Sequence, residues 1–187
     1  MTGECSVGPT IGALAIRALR RHPDRTALSW DGGRMTYAQT LELIGRYQTV
    51  LQQRGVRRGQ RIALLSANRA ASWCLSIAAQ ASGLGVTWLN GVGSLQDHLF
   101  QLADADVSAL VVDEENHAPR GAELAAAVGN DMVVLTVGPT EFATDLETAI
   151  EACGPAAARD WARPDDIAII HYTGGTTGHP KGVMRTH

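Results

Sequence analysis

Asp166-Ile-Ala-Ile-Ile-His-Tyr-Thr-Gly-Gly-Thr-Thr-Gly-His-Pro-Lys-Gly-Val183 joins a run of apolar residues to a loop rich in glycine and threonine. Residues 166–172 predict a buried strand. The loop then leaves the strand's C-terminal end, which is where open α/β sheets bind ligands. Comparable apolar runs recur upstream, at Arg61-Ile-Ala-Leu-Leu-Ser66, Val86 to Leu89, Ser108 to Asp113 and Met132 to Val137. These runs are continuous rather than alternating, and helix-length segments separate them. That pattern predicts an α/β fold: βαβ units building a largely parallel sheet flanked by helices on both faces.

The intervening segments carry helical signals. Ile11, Leu14, Ala15, Ala18 and Leu19 form one apolar stripe, and His22-Pro23 ends it. Ala27 to Trp30, the turn Asp31-Gly32-Gly33 and Arg34 to Thr36 read as a hairpin. Thr36 and Gln39 have the spacing of a capping box, opening a helix through Leu51 that Gly55 stops. Asn68 is positioned to cap a helix carrying Trp73, Leu75, Ile77 and Ala81. Ser94 to Ala103, Gly121 to Val128 and Thr140 to Ala152 predict further helices. Trp73 and Trp88 sit on apolar patterns and read as core. Pro155 to Pro164 reads as a surface connection, and Asp113-Glu114-Glu115 as a solvated loop.

Composition narrows the function classes. The chain has 187 residues, 45% of them hydrophobic and 19% charged, which fits a globular domain with a sizeable core. The formal charge of −3 provides no basic footprint for nucleic acid. No apolar run is long enough to span a membrane, and no secretory signal is visible. Cys5, Cys74 and Cys153 are widely spaced, which argues against a disulfide framework and for a reducing, cytoplasmic setting. His22, His98, His117, His171 and His187 form no metal-spaced cluster, so no protein-held metal is expected. His171 and His179 flank the loop.

The loop itself, residues 172–183, reads as an anion site. Gly174, Gly175, Gly178 and Gly182 allow close backbone approach, and successive N–H groups in such a loop form an anion-binding concavity. Thr173, Thr176 and Thr177 add hydroxyls. Lys181 adds a mobile positive charge. Of the 16 basic residues 15 are arginine, so the single lysine stands at the loop. A compact ammonium can follow a moving phosphate, whereas a guanidinium imposes a planar fork. Together these groups suit a polyphosphate accompanied by Mg²⁺. The pattern is neither a Walker A loop nor a complete GxGxxG.

Tyr172-Thr-Gly-Gly-Thr-Thr-Gly-His-Pro-Lys-Gly-Val183 closely resembles the phosphate-loop signature of the acyl-adenylate-forming superfamily. That superfamily contains the acyl-CoA synthetases, nonribosomal peptide adenylation domains and firefly-type luciferases. Gly174 stands where the usual form has serine, which removes one hydroxyl donor. The Thr176-Thr177 pair is more similar to the CoA ligases. Upstream, Arg34-Met-Thr-Tyr-Ala38, Gly55-Val-Arg-Arg-Gly-Gln-Arg-Ile62, Ser66-Ala-Asn68 and Gly83 to Asn90 resemble family segments in the same order. Gln60 replaces the usual aspartate.

The resemblance implies that the chain is the incomplete N-terminal portion of an AMP-binding domain, with no C-terminal domain. It implies an acid–CoA ligase that uses ATP, Mg²⁺ and CoA and activates a carboxylic acid, of the fatty class, as acyl-AMP. Thr173, Gly174, Gly175, Thr176, Thr177, Gly178 and Lys181 would bind the ATP phosphates, with Lys181 as the catalytic group. On this reading the 187 residues alone are inactive and leave apolar surface exposed, compatible with a homodimer. The alternatives are a truncated non-catalytic paralogue that binds nucleotide or a partner, and a peptide-synthetase-type adenylation domain.

Overall fold

The computed structural model describes residues 8–173 and 180–187. Helix α1, Ile11–Leu19, is capped by Thr10, whose hydroxyl accepts from the Ala13 N–H at 3.0 Å. Strands β1, Thr26–Trp30, and β2, Gly33–Thr36, form the expected antiparallel hairpin. Helix α2, Tyr37–Gln53, opens on the Thr36–Gln39 capping box, both halves of which are made. Then follow β3, Arg61–Leu65; α3, Ala70–Ala81; β4, Gly85–Trp88; α4, Leu95–Asp104; and β5, Val107–Asp113. The chain continues through α5, Glu114–Val128; β6, Val133–Val137; β7, Thr144–Asp145; α6, Leu146–Glu151; β8, Ile167–Thr173; and β9, Lys181–Thr186.

The seven-stranded sheet has the order β7-β6-β5-β3-β4-β8-β9. Every neighbouring pair is parallel except β8 and β9, which are antiparallel. The central strands alternate their buried side chains between two cores. Ile62, Leu64, Ala109 and Val111 face one core, which includes Ile44, Tyr47, Leu51 and Leu75 of α2 and α3. Ala63, Leu65, Leu110 and Val112 face the other, with Leu102 of α4 and Leu124 of α5. Helices therefore cover both faces, and continuous apolar runs are what strands in that position require. Among the described residues no helix is long and apolar enough to cross a membrane.

Four expectations change. Asp113-Glu114-Glu115 is not a solvated loop: Asp113 is fully buried at the end of β5, and the two glutamates form the first turn of α5. Acidic residues suit a helix N-terminus, where the macrodipole favours them. α5 also runs through Pro119, where the missing N–H removes a single bond near the helix start. Asn68 does not cap α3. Arg69 holds that position without a side-chain cap, since a guanidinium has no acceptor for the helix N–H groups; it donates to Asp113 instead. The helix expected over 140–152 shortens to α6, because Asp145 stops β7 and caps the helix by accepting from Glu147 and Thr148 N–H groups. Trp73 and Trp88 lie at the surface, 37% and 38% exposed, and are not core residues.

The segment between α6 and β8 carries no regular element. It runs over the surface as expected, with Pro155, Ala157, Arg159, Trp161 and Arg163 exposed, but it is tied to α2. Gln48, buried in α2, donates through Nε2 to the Arg159 carbonyl at 2.7 Å and accepts the Arg159 N–H at 3.0 Å. Gly45 admits the same segment, since a Cβ there would lie 2.1 Å from the Ala156 oxygen. Cys74 and Cys153 are free and buried, and burial pushes the Cys74 thiol up to about 12.

Candidate functional site

The two described ends of the loop are brought together by pairing of β8 with β9. Thr173 is the cross-strand partner of Lys181, Tyr172 of Gly182, His171 of Val183 and Ile170 of Met184. Side chains alternate along each strand. Ile170, Tyr172, Gly182 and Met184 share the face that lines a 290 Å³ cleft beside α4. Thr173 and Lys181, with His171, therefore share the opposite face. Directly paired residues on one face have Cβ atoms about 4.5–5.5 Å apart. A hydroxyl and an ammonium thus stand side by side at the hairpin mouth. Both residues are exposed, and neither side chain has a partner among the described residues.

Gly174, Gly175, Thr176, Thr177 and Gly178, assigned to phosphate binding from the sequence, lie outside the described residues, as does His179. The strand that carries the loop is less buried than its sequence suggests. In β8 Ala168 and Ile170 are buried, but His171 and Thr173 are exposed and Tyr172 is half-buried. Beside it, β9 lies at one edge of the sheet with all six residues exposed, including Val183 and Met184.

Tyr172 was not singled out by sequence reading. Its hydroxyl donates to Asp104 Oδ2 at 2.6 Å, and its ring lies against Gly182, where a Cβ would come within 3.0 Å of Cζ. Burial and the Asp104 carboxylate push the phenol well above its ordinary range, so it remains a protonated donor. On the far side of the cleft Arg61 pairs with Asp106 at 2.8 Å. Its only sequence signal is the period of two that places Tyr172 opposite Thr173 and so toward α4.

The strand order reverses between β3 and β5, the topological switch point at which many α/β sheets bind ligands. Here protein side chains fill it. Buried Asp113 accepts from Arg69 Nη1, from Asn116 Nδ2 at 2.7 Å and from the Ala67 N–H at 3.3 Å. The loop stands two strands away, on β8. Nearby, His98 is fully buried; its Nε2–H donates to the Asn90 carbonyl at 2.8 Å, leaving Nδ1 toward Arg120 at 3.5 Å. Burial lowers the pKa of this imidazole, and Arg120 also disfavours its cation. Among the described residues no group of three or more His, Cys, Asp or Glu side chains could hold a metal ion.

The chain is thus a mainly parallel α/β protein whose sheet ends in the antiparallel β8–β9 hairpin. The chain belongs to the AMP-binding enzyme family, which it matches over residues 16–187. It is similar to the medium/long-chain-fatty-acid–CoA ligase FadD8 of Mycobacterium tuberculosis, at 36% identity over 99% of this chain and 34% of that protein. It is 32% identical to a feruloyl-CoA synthase of Amycolatopsis sp., over 95% of this chain and 33% of that one. The crystal structure of the N-terminal domain of FACL13 from Mycobacterium tuberculosis superposes with a TM-score of 0.79 at 29% identity, over 96% of this chain and 45% of that one. The chain thus spans about a third of the length of these curated relatives.

Proposed function

We propose that these residues are the first part of an ATP-dependent acid–CoA ligase and that Thr173 and Lys181 contact the ATP phosphates. The observation that carries this reading is the Thr173–Lys181 pairing at the mouth of the β8–β9 hairpin, with neither side chain partnered among the described residues. In the first half-reaction a carboxylate oxygen attacks the α-phosphorus, the bond to the β-phosphate oxygen breaks, and pyrophosphate leaves. The CoA thiol then attacks the acyl carbonyl, giving the thioester and releasing AMP. Lys181 and the Thr173 hydroxyl act on the leaving pyrophosphate, where negative charge accumulates. Preorganised donors at such a position supply rate by electrostatics without proton transfer. Mg²⁺ would add counter-charge to the phosphates. The loop glycines 174, 175 and 178 and Thr176 and Thr177 complete the cradle in this proposal.

The acid is a fatty acid on this reading, supported by likeness to a ligase named for medium- and long-chain fatty acids. A panel of fatty and aryl acids, assayed for CoA thioester formation by the full-length protein with MgATP, tests it. The expected result is acid-dependent thioester and AMP formation, strongest with fatty acids. Adenylate formation without transfer to CoA would favour a carrier-protein acceptor. No adenylate with any acid would favour a non-catalytic binding module.

A further inference from the structure

The β8–β9 hairpin has little packing of its own at the end that carries Thr173 and Lys181. All six β9 residues are exposed, and β8 is the strand neighbour of β9 in the sheet. Beyond the pairing of β8 with β4 through Ile170, a side-chain contact from this end to the body of the fold among the described residues is made by Tyr172. Its hydroxyl bonds Asp104 Oδ2 at 2.6 Å and sits 3.5 Å from the Gln101 carbonyl in the last turn of α4. Its ring covers Gly182, the residue next to Lys181, with Cζ and Cε1 3.0 and 3.2 Å from the site of a Cβ. Asp104 closes α4, a helix end whose dipole disfavours a carboxylate. The tyrosine O–H offsets that cost, so a carboxylate poorly suited to its helix is well suited to its partner.

We propose that Tyr172 and Asp104 form a clamp that sets where Thr173 and Lys181 stand relative to the sheet. Tyr172 is thereby a positioning residue for phosphate contact. The functional part of this inference rests on the proposed ligase reading; the clamp itself does not. Removing the hydroxyl frees the end of the hairpin, and the lysine ammonium then samples positions away from the phosphates. A displacement near 1 Å at a reacting group can cost about a hundredfold in rate.

Reductive methylation of the full-length protein with ¹³C-formaldehyde gives methyl signals for its amines, and the signal lost in Lys181→Arg is assigned to Lys181. Tyr172→Phe and Asp104→Ala are each expected to shift and sharpen the Lys181 signal alike. The double variant should add nothing, while the melting temperature changes little. In the full-length protein the same variants should raise the KM for MgATP about tenfold in pyrophosphate exchange, with the KM for the acid unchanged. A Lys181 signal identical to wild type in both single variants would overturn the clamp, as would additive shifts in the double variant. Absence of exchange in the wild-type protein would count against the ligase reading, and the methyl signal would still decide the clamp.

Discussion

Arg58 and Asp166 meet in a two-bond ion pair above Gly83, Nε to Oδ2 at 2.8 Å and Nη2 to Oδ1 at 2.6 Å. Gly83 has φ +73°, and a Cβ there would come within 2.7 Å of Arg58 Cγ and 2.9 Å of Asp166 Oδ2. The backbone N–H of Arg163 also bonds Asp166 Oδ2, at 2.8 Å. The start of β8 is thus fixed to the loop ahead of β3, and Tyr172 holds its other end against α4. The strand that carries Thr173 is anchored at both ends by side chains from other elements.

Burial favours the neutral Asp166 carboxyl, but the Arg58 hydrogen bonds, the Arg163 N–H and the Arg58 charge outweigh it and hold its pKa below the usual carboxylate range. Because the folded state binds the proton less tightly than the unfolded state, this stability is present above the ordinary aspartate pKa and is lost as pH falls below about 4. Asp166→Asn should cost about 1–2 kcal/mol at pH 7, in line with hydrogen bonds to a charged group. Urea unfolding of both proteins at pH 7 and pH 3.5 checks this. The gap should narrow at the lower pH; an equal gap at both would contradict the assignment.

Gln48 and Gly45 hold the segment between α6 and β8 against α2. Gln48→Leu strands the Arg159 N–H and carbonyl and should cost about 1–3 kcal/mol. Gly45→Ala forces a Cβ onto the Ala156 oxygen and should cost about 1–3 kcal/mol through overpacking. Both should also loosen the segment. Trypsin cleavage after Arg159, followed by mass spectrometry under native conditions, should be faster in each variant than in the wild-type protein.

His98 should make stability pH-dependent above the carboxylate range. It is buried and neutral, faces Arg120 and the Asn90 carbonyl, and its pKa is lowered chiefly by burial; Asp97 partly opposes the shift and His117 adds to it. The unfolded chain binds this proton more readily, so stability is full above about pH 6.5 and declines as pH falls below it. His187 is lowered in the same direction, again mainly by burial, and adds to the slope. Melting temperatures across pH 5 to 7.5 should show a shallower decline in His98→Gln than in wild type. Parallel curves would exclude His98 as a source.

Much of the fold was legible because the signals are local or repetitive. The Thr36–Gln39 box, the α1 stripe and the apolar runs of β3, β5 and β6 each encode their element within a few residues. What escaped depends on distant partners. Asp113 reads as part of an acidic loop until Arg69, 44 residues away, is seen to fold over it. The 155–164 connection lies at the surface as its sequence reads, but its bond to Gln48, distant by 111 positions, could not be read there. At the candidate site the residue types of the loop were readable. The Thr173–Lys181 pairing was not, because a glycine-rich sequence does not fix the register of the strand that follows it. Nor did Tyr172 advertise itself, since its partner Asp104 lies on a different helix.

The most direct test of the account is ATP–pyrophosphate exchange by the full-length protein with Lys181→Ala against wild type, at saturating acid and MgATP. Lys181 is exposed and bonded to no described side chain, so its loss should leave the melting temperature unchanged. The account predicts exchange reduced by roughly 10²–10³, the scale for removing one preorganised donor from a developing charge. Exchange at the wild-type rate in the folded variant would contradict the placement of the leaving phosphates at this hairpin.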